Sequence, residues 1–189
     1  MRIITYQSRA VYKILKTKGE HKITSPEMTK TFNNFCSKTY PLNRPFEEGY
    51  EYIKNRMKKL INNEDLDDDI ISPIWGWASY KSIRKLDKDN PDYYRIVLDI
   101  PDDKVLLTDF YEYENCSIGK LRAVFDTEEE VLEAEKREEE LGKEYTYALY
   151  DRMLDLSNAE YVQATFWKIK KEYIVSMTKV RVKQRKIRR

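Results

Sequence analysis

Short runs of apolar residues, several of them alternating with polar positions, predict the strands of this chain. The first is RIITYQ at residues 2–7, which combines β-branched and aromatic residues. The other runs are residues 70–80 (a strand or a buried loop), 93–100, 104–110, 161–167 and 173–182. The turn Pro101-Asp102-Asp103 predicts that residues 93–100 and 104–110 form a hairpin or one bent strand.

Apolar residues spaced three or four positions apart predict the helices. Ser8 is a predicted N-cap for a helix that ends at Gly19, and Thr127 with Glu130 predicts a capping box for a highly charged helix that ends near Gly142. The remaining predicted helices are one after Ser25-Pro26 with Met28, Phe32, Phe35 and Cys36 on one face, one after Pro45, and one around Tyr147 to about Ser157.

The order of these elements lacks the regular strand–helix alternation of a parallel sheet. It predicts an α+β fold with a mixed, mainly antiparallel sheet and helices packed on it. The 189 residues contain no Gly/Ser-rich or Pro-rich linker, so we expect a single domain over residues 1–189. Without a recognisable signal peptide or an apolar run near the roughly 20 residues that span a bilayer, we expect a cytoplasmic protein that is not in a membrane.

Charge is unevenly distributed along the chain, although the formal net charge is only +2. Residues 126–144 carry ten acids and three bases, whereas residues 179–189 carry seven bases and no acid. The basic tail, residues 181–189, offers Arg181, Lys183, Arg185 and Lys186 as contacts to the phosphates of a nucleic acid. The alternative is a solvated, frayed terminus.

Several common enzyme classes are excluded by missing motifs. The sequence has no GxxxxGK[ST], GxGxxG, GxSxG or HExxH, and its only histidine, His21, lies between Glu20 and Lys22. Cys36 and Cys116 are far apart and form no CxxC motif, so no structural zinc is expected. Aspartates near predicted strand ends suit Mg²⁺, but turn formation accounts for them equally, and no metal site is predicted.

The segment SPIWGWASY at residues 72–80 is the most distinctive in the chain. Trp75, Trp77 and Tyr80 offer flat rings on which a purine or a nicotinamide can stack, and Arg84 is near enough in sequence to meet a phosphate. The alternative is that Trp75 and Trp77, two positions apart on one strand face, fill the core and that Arg84 is solvated.

The segment YVQATFW at residues 161–167 predicts a strand with two different faces. Gln163 and Trp167 share the face that is polar yet aromatic, while Ala164 and Phe166 lie on the other. This face either lines a ligand cleft or places Gln163 on a solvent-exposed edge.

Four sequence blocks, IITYQS, SPIWGWASY, VLLTDF and VQATFW, resemble a bacterial and phage family that is described as a domain of unknown function. They occur in order and span residues 3–167. The resemblance implies a shared fold and no established activity.

The order of strands is also similar to the layout of ADP-ribosyltransferases. By position, that resemblance implies that Tyr6 and Gln7 contact the ribose of NAD, that Trp77 and Tyr80 frame nicotinamide, and that Gln163 orients the ribose. It implies an NAD-using enzyme that modifies a nucleic acid or a protein, with Tyr6, Gln7 and Gln163 as catalytic residues. The alternative is a non-enzymatic protein, related to phage or to defence, that binds a nucleic acid or a protein partner.

Overall fold

The computed structural model describes residues 1–25, 45–80, 83–90, 93–119 and 124–181. The predicted helix with Met28, Phe32, Phe35 and Cys36 lies outside these residues, as do Lys183, Arg185 and Lys186 of the tail. The side chain of Arg84 is also outside the description, although its backbone belongs to a helix.

The six predicted strands and the predicted helices within the described residues are present, whereas the helices Ile83–Asp89 and Phe110–Gly119 and the short strands Glu20–His21 and Ile169–Lys170 were not predicted. The strands are β1 (Arg2–Gln7), β2 (Glu20–His21), β3 (Ile74–Ser79), β4 (Tyr94–Asp99), β5 (Leu106–Asp109), β6 (Val162–Phe166), β7 (Ile169–Lys170) and β8 (Ile174–Lys179). The α-helices are α1 (Arg9–Lys18), α2 (Pro45–Leu60), α3 (Ile83–Asp89), α4 (Phe110–Gly119), α5 (Glu128–Leu141) and α6 (Lys143–Tyr150). Short 3₁₀ turns occupy Asp102–Lys104, Asp151–Leu154 and Lys171–Tyr173. Among the described residues, no helix is both long and apolar enough to cross a membrane.

The main sheet has six strands in the order β5-β6-β3-β1-β4-β8, and its neighbouring strands are antiparallel. A separate antiparallel pair joins β2 to β7. The predicted α+β class with a mainly antiparallel sheet is therefore confirmed.

The predicted connection between residues 93–100 and 104–110 is wrong. β4 lies between β1 and β8, whereas β5 pairs with β6 at the other edge of the sheet, so the two strands form neither a hairpin nor one bent strand. Ile100 and Val105 are both buried in the same apolar cluster as Ile3. Because these two residues bury their side chains there, the link crosses the apolar face of the sheet and does not turn back at its edge.

Two cores cover the two faces of the sheet. On one, which we call the α1 face, Leu15 of α1 packs in a buried cluster with Ile3, Ile96 and Phe166. On the other, the α2 face, a buried cluster contains Tyr52, Ile53 and Met57 of α2, Leu106 of β5, and aromatic residues of α4 and α6. The second cluster covers β3, β5 and β6, and this is the face on which the candidate site lies.

The pH dependence of the unfolding free energy tests whether His21 is buried in its neutral form. It is 5% exposed in β2, and desolvation lowers its pKa from 6.5 to about 4. Because the folded pKa lies below the unfolded one, the neutral imidazole contributes stability that is present above pH 6.5 and is lost as the pH falls towards 4. We expect the unfolding free energy of the native chain to lose about 2 kcal/mol from this residue between pH 7 and pH 5.

The measurement is urea unfolding at pH 7, 6 and 5 for the native chain and for His21→Leu. The leucine variant lacks the titrating group, so its stability should fall less over this range. Equal pH dependence of the two proteins would contradict a neutral, desolvated His21.

Candidate functional site

Gln163 of β6 lies directly between Trp77 of β3 and Thr108 of β5 in the sheet. Trp77 and Gln163 are cross-strand partners, as are Thr108 and Gln163. Directly opposed residues of antiparallel strands project from the same face, so the three side chains share the α2 face. Gln163 is 9% exposed and Thr108 is fully buried.

Three buried polar atoms on this face lack a hydrogen-bond partner in the described structure. They are the carbonyl oxygen Oε1 of Gln163, the hydroxyl Oγ1 of Thr108 and the indole nitrogen Nε1 of Trp75. Leaving such an atom unpaired costs about 1–3 kcal/mol, and native cores rarely accept that cost without a function. Gln163 and Thr108 are cross-strand neighbours that offer a carbonyl acceptor and a hydroxyl to a small polar ligand such as a carboxamide, and Trp75 offers an N–H donor on the same face.

A row of aromatic rings adjoins Gln163 at one end of the sheet. We call it the aromatic ribbon; it consists of Trp77, Tyr80, Tyr161, Phe110 and Tyr111. Its neighbouring ring centroids lie 4.6–5.6 Å apart, at the distances of favourable aromatic pairs. Tyr111 is 47% exposed and the other four rings are half-buried. The ribbon therefore offers an aromatic surface that solvent reaches.

Local backbone features place these rings. Pairing between β3 and β6 shifts register between Trp77 and Ser79. A bulge of this kind changes the direction of the side chains that follow it, here that of Tyr80. Asp109 ends β5 and caps α4, because its Oδ1 accepts hydrogen bonds from the backbone N–H of Tyr111 at 2.8 Å and of Glu112 at 3.3 Å. The rings of Phe110 and Tyr111 are thus fixed on the first turn of α4.

Gly76 lets the strand with both tryptophans approach β1 closely. A Cβ at this position would lie 2.5 Å from Cγ2 of Ile3 and 3.0 Å from the backbone oxygen of Ile4. The second distance involves backbone, which cannot yield easily, so a larger residue would shift β3 against β1. The absence of a side chain at Gly76 therefore helps to set the position of Trp77.

Glu114 provides an acid on the side of α4 that faces the ribbon. It follows Phe110 by four residues, so the two side chains lie on one side of the helix, and the ring of Phe110 contacts Trp77. Glu114 is half-buried, and its burial raises its pKa above the ordinary glutamate value. An acid with a raised pKa near a polar site is suited to accept or donate a proton.

Tyr6 and Gln7 do not join Gln163. Tyr6 shares the α2 face, but its hydroxyl donates a 2.7 Å hydrogen bond to Asp87 of α3, which also pairs with Arg95 at 2.8 Å. Burial and the carboxylate of Asp87 raise the pKa of Tyr6. Gln7 projects from the α1 face, where its Nε2 donates to Oγ1 of Thr5 at 2.9 Å.

Trp75 and Trp167 contribute to the packing of the α2 face. Trp75 shares the face of Trp77, as the sequence predicted, and packs between Tyr50 and Tyr113 with centroids 5.5 Å and 4.9 Å away. Trp167 is 1% exposed, and its Nε1 donates to Oδ1 of Asn63 at 2.9 Å. Both indoles thus support the α2 face from within the second core.

The basic tail starts far from the ribbon. Arg181 is exposed and follows β8, the edge strand on the other side of the sheet from β5 and β6. The register places the end of β8 beside the start of β4 and the end of β1, whereas the ribbon follows the end of β3. Arg181 and the ribbon therefore occupy opposite ends of the sheet.

The sequence indicated part of this site and missed the rest. It indicated Gln163, Trp77 and Tyr80, but it did not select Thr108, Glu114 or the rings of Phe110 and Tyr111. The available signal was the strand–cap–helix sequence Thr108-Asp109-Phe110-Tyr111, in which an N-cap aspartate follows a short strand.

Comparison with known proteins identifies the family. The family model described as Domain of unknown function (DUF3841) matches residues 2–123, and the chain belongs to this family. The matched segment includes Trp77, Tyr80, Thr108 and Tyr111 but ends before β6 and Gln163. No curated protein and no solved structure matches the chain.

Proposed function

We propose that this member of the DUF3841 family is an NAD-using enzyme of the ADP-ribosyltransferase type, with its nicotinamide site at Gln163 and Trp77. The supporting observation is the buried carbonyl oxygen of Gln163, which lacks a hydrogen-bond partner among the described residues. Gln163 itself lies between Trp77 and Thr108 in the sheet.

The chemistry of the residues fits the nicotinamide end of NAD. A carboxamide offers an N–H₂ donor to Oε1 of Gln163 and a carbonyl acceptor to the hydroxyl of Thr108 or the indole N–H of Trp75. The rings of Trp77 and Tyr80 provide a face for the pyridinium, whose positive charge favours an aromatic surface. Binding would satisfy polar atoms that are otherwise buried at a cost.

Bound NAD would supply a ribose carbon from which nicotinamide leaves with the electron pair of the broken C–N bond. Gln163 carries no charge, so its part is to orient the ligand through its carboxamide, and it does not accept the proton. Glu114 is the candidate that takes up the proton released when an acceptor hydroxyl or amine bonds to the ribose carbon. The acceptor, on this proposal, is a nucleic acid or a protein.

Calorimetric titration with NAD⁺ tests the site, and the chain offers a matched control. Gln163→Ala should weaken NAD⁺ binding at least tenfold, because a hydrogen bond to a buried carboxamide and its orientation are lost together. Gln7→Ala removes the same side chain from the opposite face and should leave the affinity unchanged. Release of nicotinamide, followed by chromatography, should fall with the same selectivity.

Two results would refute the proposal. One is the absence of any heat of binding at millimolar NAD⁺ for the native chain. The other is equal binding by Gln163→Ala and the native chain, with circular dichroism showing that both proteins are folded.

A further inference from the structure

We propose that the aromatic ribbon is a docking surface for a basic polypeptide segment, which places arginine or lysine side chains against its rings. This surface shares Trp77 and Tyr80 with the proposed nicotinamide site, but its occupation does not require NAD. If the proposed function also holds, the ribbon identifies the acceptor as a protein.

The rings provide the apolar half of the interaction. Tyr80, Tyr161 and Tyr111 form consecutive contacts with centroids 4.6 Å and 5.4 Å apart, and each stays partly open to solvent. Tyrosine rings attract guanidinium and ammonium groups that approach within about 6 Å of their centroids. The chain itself uses this contact elsewhere, since Arg56 lies 5.5 Å from the ring centroid of Tyr52 and 5.9 Å from that of Tyr147.

The charges at the ribbon favour a cation. The exposed Glu160 precedes Tyr161 in the chain, and Asp109 precedes Phe110. Glu112, which follows Tyr111, is already paired with Arg152 at 2.6 Å. A hydrogen bond to Glu160 raises the pKa of Tyr161 to about 12. The exposed carboxylate of Glu160 therefore attracts basic side chains and repels phosphates at the Tyr161 side of the ribbon.

Gln163 anchors the inner end of the same surface. It is nine-tenths buried with a carbonyl oxygen that lacks a partner in the described structure, and its cross-strand neighbour Trp77 is a ribbon residue. A guanidinium or ammonium group that passes Glu160 and follows the rings inward therefore reaches a neutral acceptor, the oxygen Oε1 of Gln163.

A nucleic acid fits the ribbon less well. Single strands bind where stacking rings accompany a positive groove. The tail residue Arg181 lies at the opposite end of the sheet on the far edge strand, so a short strand on the ribbon does not reach it. The exposed Glu160 favours a basic peptide, and the oligothymidylate probe below tests the alternative that Arg84 and Lys85, which follow Tyr80, hold a phosphate.

The experiment compares three probes on the native chain at low salt. The first is a peptide of alternating glycine and arginine with four arginines, the second is the same peptide with citrulline in place of arginine, and the third is a twelve-nucleotide oligothymidylate. We expect the arginine peptide to bind and the citrulline peptide to bind at least tenfold more weakly, because citrulline keeps the shape and removes the charge. No NAD is present, so failure of the peptide to bind would be a different result from failure to bind NAD⁺.

Ribbon variants then separate this surface from the acidic helix α5, which attracts basic peptides without rings. The double variant Tyr111→Ala/Tyr161→Ala should weaken binding of the arginine peptide about tenfold, as the loss of two cation–ring contacts implies. Tyr111→Phe/Tyr161→Phe keeps the rings and should bind as the native chain does. Glu160→Gln, a milder change, should weaken binding two- to fivefold at low salt.

Three outcomes would overturn the proposal. Binding of the arginine peptide that is unaffected by the alanine double variant would assign it to α5. Oligothymidylate binding that depends on the two tyrosines would assign the ribbon to nucleic acid. Failure of all probes to bind the native chain would leave the rings with a packing role only.

Discussion

Trp167→Ala is expected to destabilise the protein by about 3–5 kcal/mol, the range for removing a large aromatic side chain from a core. Trp167 is 1% exposed and packs in the cluster of the α2 face with Tyr52, Met57 and Met153. Its indole N–H also donates to Asn63, so the substitution leaves a cavity and an amide oxygen without that donor. Chemical unfolding followed by circular dichroism measures the loss.

Trp167→Phe is the matched control. It keeps most of the ring volume and removes the hydrogen bond to Asn63, so we expect a smaller loss of about 1–2 kcal/mol. Since the sequence suggested Trp167 as a ligand contact, NAD⁺ affinity should be measured on the phenylalanine variant. A stable Trp167→Ala variant with selectively lost ligand binding would show that the indole belongs to the site and not to the core.

Arg56→Ala is expected to cost about 2–3 kcal/mol of stability. The guanidinium forms two hydrogen bonds to Asp151, at 2.7 Å and 3.0 Å, and a third at 3.3 Å to Glu144. It thereby joins α2 to α6 and to the turn after α6. The side chain of Arg56 is 10% exposed but that of Asp151 is 43% exposed, so water offsets part of the cost of leaving the carboxylate alone.

Lys59→Ala provides the comparison for this ion pair. Lys59 binds the same Glu144 at 2.7 Å, but both side chains are more than half exposed. Exposed pairs contribute little, and we expect a change below about 0.5 kcal/mol. Equal losses of unfolding free energy for Arg56→Ala and Lys59→Ala in denaturant unfolding would show that burial of the guanidinium does not determine how much an ion pair to Glu144 stabilises the protein.

The sequence was informative about local structure because its periodicity reflects burial. Alternation in VQATFW predicted that Gln163 and Trp167 share one face and that Ala164 and Phe166 share the other, and the two cores confirm this division. Ser8 and Gly19 bound α1 as predicted, since an N-cap hydroxyl accepts from Val11 and Gly19 adopts the left-handed conformation with φ of 75°. The capping box at Thr127 is likewise confirmed.

The candidate site was only partly predictable. Trp77 and Gln163 were selected separately, from an aromatic motif and from a polar position on a strand, and nothing in the sequence stated that they are cross-strand partners. Thr108 was not selected, because a threonine in a strand is ordinary until its hydroxyl proves to be buried with no hydrogen-bond partner in the part of the chain that the structure describes. Tyr6 and Gln7 were predicted as one pair, but adjacent strand residues project from opposite faces.

The sequence alone therefore determined the six strands of the main sheet, the helices α1, α2, α5 and α6, the caps of α1 and α5 and the α+β class, since these depend on the near-neighbour spacing of apolar residues and on local backbone chemistry. Tertiary structure alone decided the strand order. It separated β4 from β5 across the sheet and set β6 between β3 and β5, which brings Gln163, Trp77 and Thr108 together over more than 80 residues of chain. Pairing between distant strands is set by how the side chains of the whole core pack together, and that packing leaves no periodic signal in any one segment.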